Sequence, residues 1–164
     1  MNVRWPVLVV VLVAACAVAS GGRARAAATC TVTTAMMPFG NYDVYGPALA
    51  VSGTIDMSCT GSGNPAPTAT LGNGNGTVAD RYMLCASGAC LSGFAGDQLH
   101  YNLYTTAGHT TVWGATGVAS TPAGCKNTTC SWTVFGLIPA AIGGGVNDVA
   151  VGGYTDAVTI TVAY

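Results

Sequence analysis

The side chains best equipped for chemistry in this chain are its cysteines, its two histidines and a set of scattered aspartates. Seven cysteines occur. Cys16 stands inside an apolar run, whereas Cys30, Cys59, Cys85, Cys90, Cys125 and Cys130 form an even set, which in an exported chain reads as a disulfide framework. Local closure is the simplest pairing. Cys85 with Cys90 and Cys125 with Cys130 would each close a short loop between two strands, containing Gly88 or Lys126-Asn127. Cys30 would then pair with Cys59 and tie the first strand to a later one. The same two Cys-x4-Cys spacings could instead offer thiolates to zinc, but thiolates survive poorly in an oxidising compartment.

His100 and His109 are the only histidines, and a serine hydrolase would need one of them beside a serine and an acid. No strand-to-helix nucleophile turn accompanies either. Every acidic residue is an aspartate, at positions 43, 56, 80, 97, 148 and 156. These have neither calcium-loop spacing nor a close pair for acid and base roles, so solvated turns and strand edges account for them. Gly72-x-Gly74-x-Gly76 resembles a phosphate-binding loop only superficially, because no helical period follows it; it reads as a hairpin turn. Trp113, Trp132, Tyr42, Tyr101 and Tyr104 could form a sugar-stacking platform if exposed, with core packing the plainer use. Asn75-Gly76-Thr77 and Asn127-Thr128-Thr129 match glycosylation acceptors, which matter only in a host with that machinery. No catalytic, metal or cofactor motif emerges, and the chain reads as a non-enzyme.

These residues must be positioned by a chain that starts with Arg4 and a run of apolar and small residues from Val7 to Ala19, the pattern of a secretory signal peptide. The run is too short for a stable membrane span. Cleavage could follow Ala19, Ala26 or Ala28, and residues 1–28 are assigned to the signal, leaving 29–164 as one domain. Val13-Ala14-Ala15-Cys16 also has lipoprotein-signal spacing, which would make Cys16 a lipidated N-terminus. Beyond the signal only Arg81 and Lys126 are cationic, so no basic face exists to replace counterions along phosphates, and nucleic acid is excluded as a partner. Lysine, glutamate and glutamine, all good helix formers, are nearly missing there, while glycine, threonine, valine, alanine and tyrosine dominate.

The domain is therefore expected to be nearly all strand and loop. In Ala157 to Tyr164, Val158, Ile160, Val162 and Tyr164 alternate with Thr159 and Thr161 at period two. Further runs are Leu49 to Cys59, Thr68 to Leu71, Tyr82 to Cys85, Leu99 to Thr105, Thr111 to Trp113 and Ser131 to Leu137. Gly72 to Gly76, Asn64 to Pro67 and Ile142 to Asn147 supply turns and loops. About seven or eight short strands at such spacing suggest an antiparallel sandwich.

Several landmarks, in order, resemble the spore coat protein U domain family, which includes subunits of archaic chaperone-usher pili. They are Cys30, Phe39-Gly40-x-Tyr42, Gly53-x-Ile55-x-Met57-x-Cys59, Arg81-x-Met83, Leu99-x-Tyr101-x-Leu103-Tyr104, Trp113-Gly114, Phe135-Gly136-x-Ile138-Pro139, and the ending from Gly153-Tyr154-x-Asp156 through Val158, Ile160 and Val162 to Tyr164. The resemblance implies an all-β, immunoglobulin-like antiparallel sandwich lacking its last strand. It also implies a periplasmic chaperone that fills the gap and an outer-membrane usher that exchanges it for a neighbouring subunit's donor strand. The product would be exported through the periplasm to a surface pilus, coat or extracellular fibre, as a structural subunit active in adhesion or biofilm.

On that footing Val158, Ile160, Val162 and Tyr164 line the groove for the partner strand, by strand addition at an open edge. One departure bears on polymerisation. Ser20 to Thr29 offers no large apolar side chain for a neighbour's groove, so a tip, terminating or non-polymerising member fits these residues as well as a shaft subunit. A secreted carbohydrate-binding or adhesive module is the alternative reading.

Overall fold

The computed structural model describes residues 28–34, 37–61, 63–86, 98–141, 147 and 149–164. Outside them lie the signal segment with Cys16, residues 20–27, Gly88, Cys90, Asp97, Asp148 and the loop 142–146. Regular structure among the described residues is entirely β: β1 (Thr29–Thr34), β2 (Leu49–Thr60), β3 (Thr68–Leu71), β4 (Arg81–Cys85), β5 (Gln98–Tyr104), β6 (Val118–Ala119), β7 (Thr129–Ile138), β8 (Tyr154–Thr155) and β9 (Ile160–Ala163). They pair antiparallel into a six-stranded sheet, β1-β2-β7-β5-β4-β8, and a three-stranded sheet, β6-β3-β9. The result is a curled, immunoglobulin-like antiparallel sandwich.

The spine is the β2–β7 pair, in register from Leu49 opposite Ile138 to Ser58 opposite Thr129. Its alternation is the physical cause of the sandwich. Ile55, Met57 and Cys59 on β2, and Cys130, Trp132, Val134 and Ile138 on β7, are buried on the inner face. Thr54, Ser58, Thr129 and Thr133 are exposed on the opposite face, so burying the apolar set, at about 1.5–3 kcal/mol for each large side chain, fixes both register and face. Gly136 interrupts the inner row: a Cβ there would come within 2.7 Å of Phe39 Cζ and 2.9 Å of Met37 Sδ. The connection from β1 to β2 thus packs Met37 and Phe39 where β7 omits a side chain. Phe39 continues onto Tyr101, edge to face at 5.5 Å.

At one corner the two sheets join. Beyond β6, Thr121 and Ser131 of β7 exchange N–H···O bonds of 2.9 Å in each direction, and Trp132 Nε1 donates to the carbonyl of Val118 at 2.8 Å. This closes the sandwich on its β6 side. β9, at the other end of the same small sheet, pairs with β3 alone among the described residues.

Thr68 to Leu71 forms a strand as expected, but Thr111 to Trp113 does not. That segment makes only an isolated bridge, Val112 to Tyr104, because Trp113 turns into the core, 1% exposed, with Nε1 bonded to Ala69 O at 3.1 Å. The last strand starts at Ile160 rather than Ala157, since the Ala157 N–H is taken by the Asp156 carboxylate at 2.7 Å. β6 and β8 have two residues each, too few for any period to be read.

Candidate partner-strand edge

β1 and β9 are edge strands of different sheets. On β1, Cys30 and Val32 alternate with exposed Thr29, Thr31 and Thr33. On β9 and the residues before it, Val158, Ile160 and Val162 alternate with exposed Thr159, Thr161 and Ala163. Each of these apolar residues packs against the core yet stays only partly buried. Tyr164 is 50% exposed and does not share their coverage. An edge strand presents unpaired N–H and C=O groups, and half-covered apolar residues beside them are the chemistry that strand addition uses.

Two disulfides brace this region. Cys30–Cys59 joins β1 to β2 at residues that face each other in the ladder, so the register of the edge strand is fixed covalently. Cys125–Cys130 closes the turn leading into β7. Cys85 is also disulfide-bonded; its expected partner, Cys90, lies outside the described residues.

The approach to β9 is held by a polar network that spacing alone did not reveal. Arg81, at the start of β4, is fully buried. Its guanidinium donates to Gly72 O from Nε at 3.0 Å and Nη2 at 2.7 Å, to Trp113 O from Nη2 at 2.8 Å, and to Asn102 Oδ1 from Nη1 at 2.5 Å. Burial lowers its pKa, opposed by the neighbouring Tyr101 and Asp156. The Tyr101 hydroxyl donates to Asp156 Oδ2 at 2.6 Å; burial first, then that bond, push its pKa far above the ordinary tyrosine value. Asp156 Oδ1 also accepts the N–H of Asn75 at 3.0 Å. Gly74 is required beside it, with φ of +65° and no room for a Cβ against the carboxylate. The signal for this network was the isolated arginine of Arg81-x-Met83 in a chain so poor in cations.

The remaining candidates separate. Trp113, Trp132 and Tyr101 are core residues at 1%, 3% and 6% exposure, not a surface platform. Tyr42 donates its hydroxyl to Pro139 O at 3.0 Å. His100 does meet an acid, its Nδ1 lying 2.7 Å from Asp80 Oδ1, but the Asp80 side chain is 65% exposed. Among the described residues no serine or threonine hydroxyl bonds to either histidine ring. Nor does any group of three or more His, Cys, Asp or Glu among them have metal-binding geometry. No helix of the described residues is long and apolar enough to cross a membrane.

A disulfide-braced immunoglobulin-like sandwich, closed at one corner and, among the described residues, unpaired along the outer edge of its last strand, defines a class of structural β domains. The chain belongs to the Spore Coat Protein U domain family, whose model matches residues 11–161. No curated protein matches it. The match starts inside the apolar stretch read as a signal peptide and runs through the first residues of β9.

Proposed function

We propose that this chain is an exported, non-catalytic subunit of a bacterial surface pilus or coat, completed by a strand from another chain. The observation that carries the reading is the outer edge of β9, unpaired among the described residues and accompanied by half-covered Val158, Ile160 and Val162. A donor strand laid along that edge gains backbone hydrogen bonds, while its alternate side chains cover those three residues. A periplasmic chaperone supplies the strand first. An usher then exchanges it for that of a neighbouring subunit at the cell surface.

Residues 1–28 hold the export signal in this reading, with cleavage after Ala19, Ala26 or Ala28 so that at most Ser20 to Thr29 precedes Cys30, and Cys85 pairs with Cys90. Ser20 to Thr29 contains only alanine, glycine, serine, threonine and arginine, and alanines fill pockets poorly. The subunit therefore receives a strand far better than it donates one, which suits a tip or terminating position.

Replacing Ile160 with Asp places a carboxylate at the strand interface, where an unpaired charge is costly. Co-expression with the chaperone is expected to recover wild-type chain in a one-to-one complex and to lose Ile160→Asp. Thr161→Asp, on the exposed face, controls for the added charge. Equal chaperone capture of both variants would remove β9 from the interface.

A further inference from the structure

The outer face of the six-stranded sheet changes character along β7. Its first half is hydroxylic: Ser58 lies opposite Thr129, Asp56 opposite Ser131 and Thr54 opposite Thr133. Val134, Gly136 and Ile138 are buried, so Phe135 and Leu137 take the outer face. Pairing carries that change across the sheet. Ser52 lies opposite Phe135, Phe135 opposite Tyr104, and Tyr104 bridges to Val112. A cross-strand row of hydroxyl, phenyl, phenol and isopropyl groups results. Phe135 and Tyr104 are only partly buried, and neither belongs to the hydrophobic core cluster.

A second observation falls on the same row. The His109 ring stands edge-on to Tyr104, with centroids 5.2 Å apart and planes at 83°. His109 adopts φ of +52°, a left-handed conformation uncommon for a residue with a Cβ and concentrated at functional positions. Its Nε2 is buried without a hydrogen-bond partner among the described residues. Such nitrogens are rare because leaving them unpaired is costly.

We propose that Phe135, Tyr104 and His109 form a binding platform for a neutral saccharide, on a face separate from the β9 edge. Three properties select that occupant. The row and its neighbouring rungs, Thr54–Thr133 and Ala50–Leu137–Asn102, carry no charged side chain, so an ionic ligand finds no countercharge. The sheet backbone under Phe135 is already paired on both sides, which excludes strand addition there. A patch of four or five side chains is far below the ~20–30 residues a side of a stable protein interface. A sugar ring instead combines an apolar C–H face for the aromatic row with hydroxyls for Ser52 and the Tyr104 hydroxyl, while the His109 ring holds Tyr104 from its edge.

The test is to apply the full chain to an array of neutral and sialylated oligosaccharides, then titrate the best neutral ligand into wild type, Tyr104→Ala, Phe135→Ser and Thr161→Asp. Neutral glycans are expected to bind, and each platform substitution to weaken binding by about tenfold without shifting thermal unfolding enough to account for it. In wild type, NMR resonances of Tyr104, Phe135 and His109 are expected to move on titration. Thr161→Asp, on the exposed face of β9, is expected to bind sugar normally, which places the platform away from that strand. Absence of any neutral ligand, binding indifferent to both platform substitutions, or dimerisation abolished by them would each overturn the proposal.

Discussion

Arg81 is a charged residue buried, among the described residues, without a carboxylate in contact, a situation proteins tolerate only when every donor is used. Carbonyls of Gly72, Val78 and Trp113 and the side chain of Asn102 supply the acceptors. The isolated arginine is the one local signal for this; only the long-range fold gathers the carbonyls. Tyr101 gives the network a measurable signature. Its folded pKa is raised above the unfolded value, so its contribution to stability is complete below about pH 10 and is lost as pH rises further, where the unfolded chain ionises first. Urea unfolding across the alkaline range is expected to show that decline in wild type and a shallower one in Tyr101→Phe. Packing offers a second residue-scale test. Gly136→Ala forces Phe39 and Met37 to move and is expected to cost about 1–3 kcal/mol in the same assay.

Among the elements, legibility follows length and alternation. β2, β3 and β7 were readable because apolar and hydroxylated residues alternate in them, the final strand because Val158, Ile160 and Val162 do so as well. β1 was expected only as a first strand carrying Cys30, without bounds, because Thr29, Thr31, Thr33 and Thr34 leave little apolar signal, and its place is set by pairing with β2. The pairings Cys30–Cys59 and Cys125–Cys130 were legible from spacing, since oxidation and short loops restrict the choices. The candidate edge was legible only through its alternating residues; that β9 has no outer partner among the described residues depends on sheet order, which no local pattern encodes. Replacing both Cys30 and Cys59 with Ser opens a loop with a sequence separation of 29. It is expected to destabilise the domain by roughly 3–4 kcal/mol in the chain-entropy view, read as a lower denaturant midpoint. Loss confined to β1 would appear instead as rapid amide exchange in Val32 and Thr33, with the midpoint unchanged.

For the molecule as a whole, β6 joins β7 at a closed corner, whereas the outer edge of β9 is unpaired among the described residues. Any segment that binds the folded state alone stabilises it by mass action, about 2.7 kcal/mol at a hundredfold excess over Kd. A synthetic peptide of alternating valine and threonine is therefore expected to raise the Tm of the full chain markedly. Chain incubated alone is expected to give no regular fibres by electron microscopy, because Ser20 to Thr29 is a poor donor. Fibres from the chain alone would show a competent donor and replace the terminating role with a shaft role.

The covalent rung between Cys30 and Cys59 also determines how the domain carries load. A pull on the segment before β1 reaches Cys30 first and passes through the sulfur bridge into β2, the strand most extensively paired to the rest of the sheet. The hydrogen bonds of β1 beyond that point are bypassed, so they cannot be sheared one after another. Tension thus enters the protein at its stiffest strand, and the edge strand behaves as a short tether with a fixed length rather than as a zipper.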